Sequence, residues 1–309
     1  MKTAFLFSGE NSQYVGMARS LTETYPKYLT YFYDMSRILG YDLRLACYCG
    51  DEQYLSKVSV MTPAVLITSV IAYESARARG IAGTAVAGYG MGEYAAMVAT
   101  GMISLETAMK LIIERAKAID YCAKTKPGAM AIIRGKSAKE VENACNETDE
   151  YVIPAIYNSP DNIVVSGVDS GVDKIVHRFN SEGAHCTRTT LPCAYQTRLM
   201  QVAAERYLDA IRHTKFNPPS CRFFSQITGD ELKDFDNMPE YLAKQLTSPI
   251  LFTRELEIMA EQGYDTFVEC GPSPILSKFT ESTLPEALAL NVEDMDSLKK
   301  TMSALGIPD

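Results

Sequence analysis

An α/β fold on a mostly parallel sheet, carrying a small inserted ferredoxin-like module, is the fold class this sequence predicts. Three observations predict it. Strands and helices alternate in both the first and last thirds of the chain, the pattern of a parallel sheet covered by helices. Between residues 127 and 191 the rhythm changes to β-α-β-β-α-β, the order of a ferredoxin-like unit. Residues 84–97, Thr-Ala-Val-Ala-Gly-Tyr-Gly-Met-Gly-Glu-Tyr-Ala-Ala-Met, read as a buried strand, a glycine-rich turn and a helix, and the rest of the chain is organised around them. The expected division is a large domain over 1–126 and 192–309, interrupted by a small domain over 127–191.

The elements follow in order. Residues 3–7 are an apolar strand, and 8–13 (Ser-Gly-Glu-Asn-Ser-Gln) a polar loop. A helix over 16–25 stops at Pro26, and another apolar-periodic segment over 28–39 ends at Gly40. Pro63 is expected to open a long helix to about Arg79, with Val65, Leu66, Val70 and Ile71 at helical spacing. The strand over 84–87 and the helix from Met91 follow, closed by Gly101. Ser104 is the expected N-cap of a helix reaching Tyr121, whose apolar stripe includes Leu105, Ala108, Leu111, Ile112, Ala116 and Ile119. Arg115 sits on or beside that stripe, where an arginine either finds a partner or snorkels to water.

In the inserted module the strands are 129–134, 151–156, 162–166 and 185–191, and the helices 137–145 and 170–182. A turn, Asn158-Ser159-Pro160-Asp161, joins the second and third strands. Beyond it come a helix over 198–213, a strand over 221–228, helices over 239–246 and 252–262, a strand over 266–269 leading into Cys270-Gly271-Pro272, a helix over 274–282, a strand over 287–290 and a helix over 295–305.

Composition narrows function less than fold. The 309 residues suffice for a large core, and 47% hydrophobic with 22% charged residues is ordinary for a globular protein. A net charge of -8 argues against non-specific nucleic-acid binding. The opening residues lead into a strand rather than a signal sequence, and the apolar runs near the front are too short to cross a bilayer. The expected location is cytoplasmic, with no membrane association. The eight cysteines are scattered. Cys47 and Cys49 form C-x-C without a matching pair, a structural rather than metal-binding pattern. The three histidines, His177, His185 and His213, leave few sources for a histidine base.

Gly88-Tyr89-Gly90-Met91-Gly92 is the frame of a nucleophile elbow, G-x-S-x-G, in which a strained strand-to-helix turn lifts a serine above the sheet. The serine slot holds Gly90. A dinucleotide fingerprint, G-x-G-x-x-G, fails because Glu93 follows Gly92 and the third glycine is misplaced.

Several blocks taken together resemble the malonyl-CoA:acyl carrier protein transacylase family, including the acyltransferase domains of polyketide synthases. Residues 7–13, Phe-Ser-Gly-Glu-Asn-Ser-Gln, are similar to the family's F-P-G-Q-G-S-Q loop, and 88–94 to its G-H-S-L-G-E-Y. Residues 128–131 resemble its G-A-M segment, 158–160 its N-S-P turn, and 194–200, Ala-Tyr-Gln-Thr-Arg-Leu-Met, its A-F-H-S-x-x-M. Residues 245–249 and 269–272 resemble two further blocks. The resemblance spans nearly the whole chain and implies an α/β-hydrolase-like domain with a ferredoxin-like insertion.

It also implies what the site should hold. In the family a serine attacks the acyl thioester of coenzyme A, a histidine takes its proton, and the acyl group passes to the phosphopantetheine thiol of the carrier protein. Here the serine position is Gly90, the histidine position Gln196, and the histidine before the serine is Tyr89. Glycine has no nucleophile, and a glutamine amide is not a base. The oxyanion-hole N–H groups map to Glu10 and Met91, yet a carboxylate at Glu10 opposes developing negative charge. Ser8 and Asn11 replace a proline and a glycine; asparagine tolerates the left-handed backbone that glycine would adopt. Thr62 replaces a glutamine. Arg115 falls where the family pairs an arginine with the malonyl carboxylate, and Tyr89, Asn158 and Gln245 are further expected substrate-binding positions. Cys193 and Cys270 would be reactive only beside an activating neighbour.

The expected role is a non-catalytic acyltransferase homologue. It would bind an acyl group, coenzyme A or an acyl carrier protein, as scaffold, chaperone or regulator beside a fatty acid or polyketide synthase component. No metal or resident cofactor is expected; a CoA thioester and phosphopantetheine are the candidate ligands. The alternatives are an active transferase or thioester hydrolase with an unorthodox site, and a structural partner with a vestigial cleft.

Overall fold

The computed structural model describes residues 1–189, 191 and 193–308. Thr190, inside the last expected strand of the module, lies outside the described residues. So do Pro192, where the large domain was expected to resume, and Asp309.

The strands are β1 (Thr3–Phe7), β2 (Ala85–Gly88), β3 (Ala129–Arg134), β4 (Val152–Ser159), β5 (Asn162–Gly167), β6 (His185–Arg188), β7 (Arg222–Ser225), β8 (Asp230–Glu231), β9 (Thr266–Cys270) and β10 (Leu288–Val292). They form two sheets, one of order β10-β9-β1-β2-β7-β8 and one of order β4-β5-β3-β6. In the first, β10, β9, β1, β2 and β7 run parallel and β8 pairs antiparallel with β7. Its central strands are buried on both faces, which is why Ala4-Phe5-Leu6-Phe7 and Ala85-Val86-Ala87 are continuous apolar runs rather than alternating ones.

The second sheet is antiparallel. Successive side chains along its strands point to opposite faces, and the two faces pack into different cores. Ala129, Ala131 and Ile133 join Val141, Val172 and Phe179 in a small core beneath the helices Ala138–Glu147 and Asp169–Ser181. Met130 and Val164 face the other way and belong to the main core. A parallel bridge between Ile156 and Ile250, with Tyr157 N–H donating to the Ile250 carbonyl at 2.9 Å, ties this sheet to the larger unit.

Several expected boundaries shift for identifiable reasons. The long helix is Val58–Ala78, so Pro63 lies inside it instead of opening it. Proline lacks the N–H that would bond the carbonyl four residues back. That carbonyl, on Ser59, accepts from the Tyr41 hydroxyl at 3.0 Å instead. This helix is long and apolar enough to cross a membrane, but most of its apolar surface is buried inside the protein. Two short helices, Leu43–Cys49 and Glu52–Leu55, were not anticipated; Asp42 and Asp51 cap them by accepting the N–H groups of Leu45 and Tyr54. Strand β4 runs through Asn158 and Ser159, so the turn is shorter than 158–161. Ser104 caps its helix as expected, and that helix continues to Thr125.

Candidate active site

The site lies where β1 and β2 end. The strands are parallel neighbours with Phe7 opposite Gly88, so the loop after one and the turn after the other emerge side by side beyond their carboxyl ends. The turn needs its small residues. A Cβ on Gly92 would collide with the Phe7 carbonyl, and one on Gly88 with the Glu93 backbone. Gly90 has φ +58, in the left-handed region. Asn11, in the adjacent loop, has φ +69, so it supplies the backbone shape for which asparagine is suited.

Polar groups that sequence reading missed hold the turn in place. The Gln226 side chain clamps Gly90 from both sides: its Oε1 accepts the Gly90 N–H at 2.7 Å and its Nε2 donates to the Gly90 carbonyl at 3.1 Å. The Gln226 N–H donates to Glu93 Oε1 at 2.9 Å, and the Tyr241 hydroxyl donates to the same carboxylate at 2.8 Å. Gln245, expected at the substrate, donates its Nε2 to Glu93 Oε2 instead, and lies outside the lining of the cleft. Burial pushes the Glu93 carboxyl up to about 8, although its donors pull it down. Glu255 lies near Glu93, fully buried, with neither carboxyl oxygen partnered among the described residues. Burial, and then the Glu93 charge, raise it well above the ordinary carboxyl range. No local spacing signals this clamp, because Gln226, Tyr241 and Gln245 all come from segments far along the chain from Glu93.

Glu10 dominates the floor of the site. Its Oε1 accepts from Arg115 Nη1 at 2.7 Å and its Oε2 from the Met91 N–H at 3.0 Å. A Cβ placed on Gly90 would strike Glu10 Oε2, so the carboxylate fills the space a side chain at that position would need. It also lies at the N-terminal end of the helix Gly92–Ala99, where a helix dipole favours negative charge. Two expectations change. Met91 does not present a free oxyanion-hole N–H, because Glu10 occupies it. Arg115 neither snorkels to water nor lines the cleft: its side chain is 3% exposed and sits behind Glu10. Burial works against its charge, but the Glu10 carboxylate and the Tyr94 and Tyr195 hydroxyls move the balance upward.

Above Glu10 opens a cleft of about 650 Å³ between the two sheets. Tyr89 and Asn158 both line it, and the Tyr89 hydroxyl donates to Asn158 Oδ1 at 2.6 Å. Gln196 lines it too, with φ +56 and a buried Oε1 that has no partner among the described residues. The histidines do not reach it; all three are exposed and none lines the cleft. Cys193 and Cys270 are buried outside the lining. Burial pushes the Cys193 thiol up to about 12 and the Cys270 thiol well above its ordinary value, which suits packing rather than nucleophilic chemistry.

The sequence pattern of the acyl transferase domain family matches residues 4–302. The malonyl CoA-acyl carrier protein transacylase of Escherichia coli (strain K12) is 31% identical over 283 residues, covering 90% of this chain and 91% of that protein. The crystal structure of the transacylase of the same description from Clostridium perfringens superposes with a TM-score of 0.93 at 29% identity, covering 99% of this chain and 98% of that one. A malonyl-transacylase in complex with its holo type II PKS acyl-carrier protein superposes with a TM-score of 0.93 at 27% identity, over 98% of this chain and 100% of that one.

Two predictions concern stability. Glu93, Glu255 and Glu269 have folded-state carboxyl pKa values raised above the unfolded value, Glu269 to about 7. Such groups contribute stability that is full below the unfolded pKa of about 4.3 and is lost as pH rises through the folded value. Urea unfolding should therefore show stability falling between about pH 5 and pH 8. Glu255→Gln should narrow that difference; an unchanged difference would remove Glu255 from the account. Separately, Glu10→Ala leaves Arg115 as an unpaired buried charge and should cost about 3 kcal/mol or more. Adding Arg115→Met should recover part of that loss, which a urea-denaturation double-mutant cycle measures.

Proposed function

The chain belongs to the acyl transferase domain family, and from that premise we propose that it is a member that binds thioester-borne acyl groups without performing serine–histidine acyl transfer. Its ligand is an acyl group carried on coenzyme A or on the phosphopantetheine arm of an acyl carrier protein, and its setting is cytoplasmic fatty acid or polyketide synthesis. The observation that carries this reading is Glu10. Acyl transfer needs a nucleophile, a base and free donors for the tetrahedral oxyanion. Gly90 offers no nucleophile and Gln196 no base, and the Met91 N–H already serves a carboxylate 3.0 Å away. An oxyanion forming there would meet a like charge.

Binding is supported by what remains. The cleft has apolar walls, the property a pantetheine arm and acyl chain require. Arg134 and Lys278 line it and are exposed, so they stand at its mouth as cations suited to a phosphate or an acidic carrier surface. The related malonyl-transacylase solved with its carrier protein supports a carrier as partner.

One observation favours a second reading: the Glu10 carboxylate occupies the nucleophile's space. Attack by Oε2 on a thioester carbonyl would give a mixed anhydride and a thiolate; water or a second thiol would then cleave the anhydride and restore Glu10. Both Glu10 oxygens already accept hydrogen bonds, which reduces their nucleophilicity and favours the binding role.

Incubation with malonyl-CoA or acetyl-CoA should leave the intact protein mass unchanged and release no thiol above background. An acyl adduct on Glu10, or steady thiol release abolished by Glu10→Gln, would establish the second reading. Gly90→Ser should lower stability by about 1–3 kcal/mol, because it places an ordinary residue in a left-handed turn against Glu10. Alone it should transfer no acyl group. With Gln196→His it should gain weak activity, still limited by Glu10. Robust transfer by Gly90→Ser alone would mean another base serves the site.

A further inference from the structure

A buried guanidinium beside a binding cleft needs an anion, because an unpaired charge there is costly. A ligand or the protein can supply it. Here the protein does. Arg115, with its side chain 3% exposed, is paired with Glu10 at 2.7 Å, and Glu10, at 16%, is the member of the pair that reaches the cleft. The second Glu10 oxygen is fixed by the Met91 N–H, so the carboxylate is held at both ends.

The cleft above it carries little to attract another negative charge to its floor. Met130, Ile132, Val164, Ile250 and Phe279 are among its walls. The other charged lining groups, Arg134, Asp161 and Lys278, are all exposed, away from the buried end. An acyl group ending in a carboxylate would have to face Glu10 directly or displace it. Displacement strands Glu10 without its partners, and coexistence puts two carboxylates together in a partly dry site. An uncharged acyl chain meets neither cost.

We propose that Glu10 is a built-in counter-carboxylate that makes this cleft selective for pantetheine thioesters whose acyl group bears no charge. This rests on the reading that the cleft holds a thioester-borne acyl group, and it adds which acyl class is held.

Calorimetric titration of the wild-type protein with butyryl-CoA and malonyl-CoA tests it. Butyryl-CoA should bind at least about tenfold more tightly, the scale on which juxtaposed like charges discriminate. Glu10→Ala should free Arg115 and shift the malonyl-to-butyryl ratio towards malonyl by a further factor of about ten, with Glu10→Gln shifting it in the same direction. If Glu10→Ala does not fold, the wild-type pair and Glu10→Gln decide. Equal or tighter binding of malonyl-CoA by the wild type would overturn the selectivity while leaving thioester binding intact. A ratio unmoved by both substitutions would remove Glu10 as its cause. Binding of neither ligand would sink both the selectivity and the role it rests on.

Discussion

The ion pair between Glu10 and Arg115 fixes the floor of this site. It joins the loop after the first strand to a long helix more than a hundred residues away, and through the Met91 N–H it also holds the start of the helix that follows the glycine turn. Three segments thus converge on one carboxylate. Each Glu10 oxygen has one strong donor, and Arg115 has little access to water that could replace its partner. The loop, the turn and the cleft floor therefore cannot be altered independently.

The turn itself has the geometry of a strand-to-helix elbow with glycine at its centre. Its left-handed backbone at position 90, the tight approaches at Gly88 and Gly92, and the Gln226 clamp all preserve a nucleophile elbow. Behind it, Glu93 gathers donors from Gln226, Tyr241 and Gln245, so buried carboxyl groups underpin the same few residues. Gly90 has no side chain and Gln196 carries a neutral amide, and the Glu10 carboxylate sits in the space a side chain at position 90 would use. The proposed binding role rests on this combination: a cleft with apolar walls above a turn whose nucleophile position is a glycine.

Much of this was legible in the sequence. The alternation of strands and helices on either side of the module pointed to the parallel sheet, and the β-α-β-β-α-β order within it to the second, smaller sheet. The glycine spacing at 88, 90 and 92 located the turn, and Asn11 located a left-handed residue in the facing loop. What escaped was pairing between distant side chains. Pro63 looked like a helix start because the Tyr41 hydroxyl that accommodates it comes from another segment. Gln245 was expected at the substrate through the family resemblance, and nothing local shows that Glu93 takes its amide. Glu10 was legible as a charge hostile to an oxyanion, but its attachment to both Arg115 and Met91 is a property of the folded chain.

The decisive property is where the Glu10 carboxylate rests when a competing carboxylate is offered. A high-resolution crystal structure of the protein soaked with malonate measures this. Glu10 should stay within hydrogen-bonding distance of both Arg115 and the Met91 N–H, with no malonate on the guanidinium. Glu10 turned away, with a malonate carboxylate bound to Arg115 in its place, would contradict this expectation.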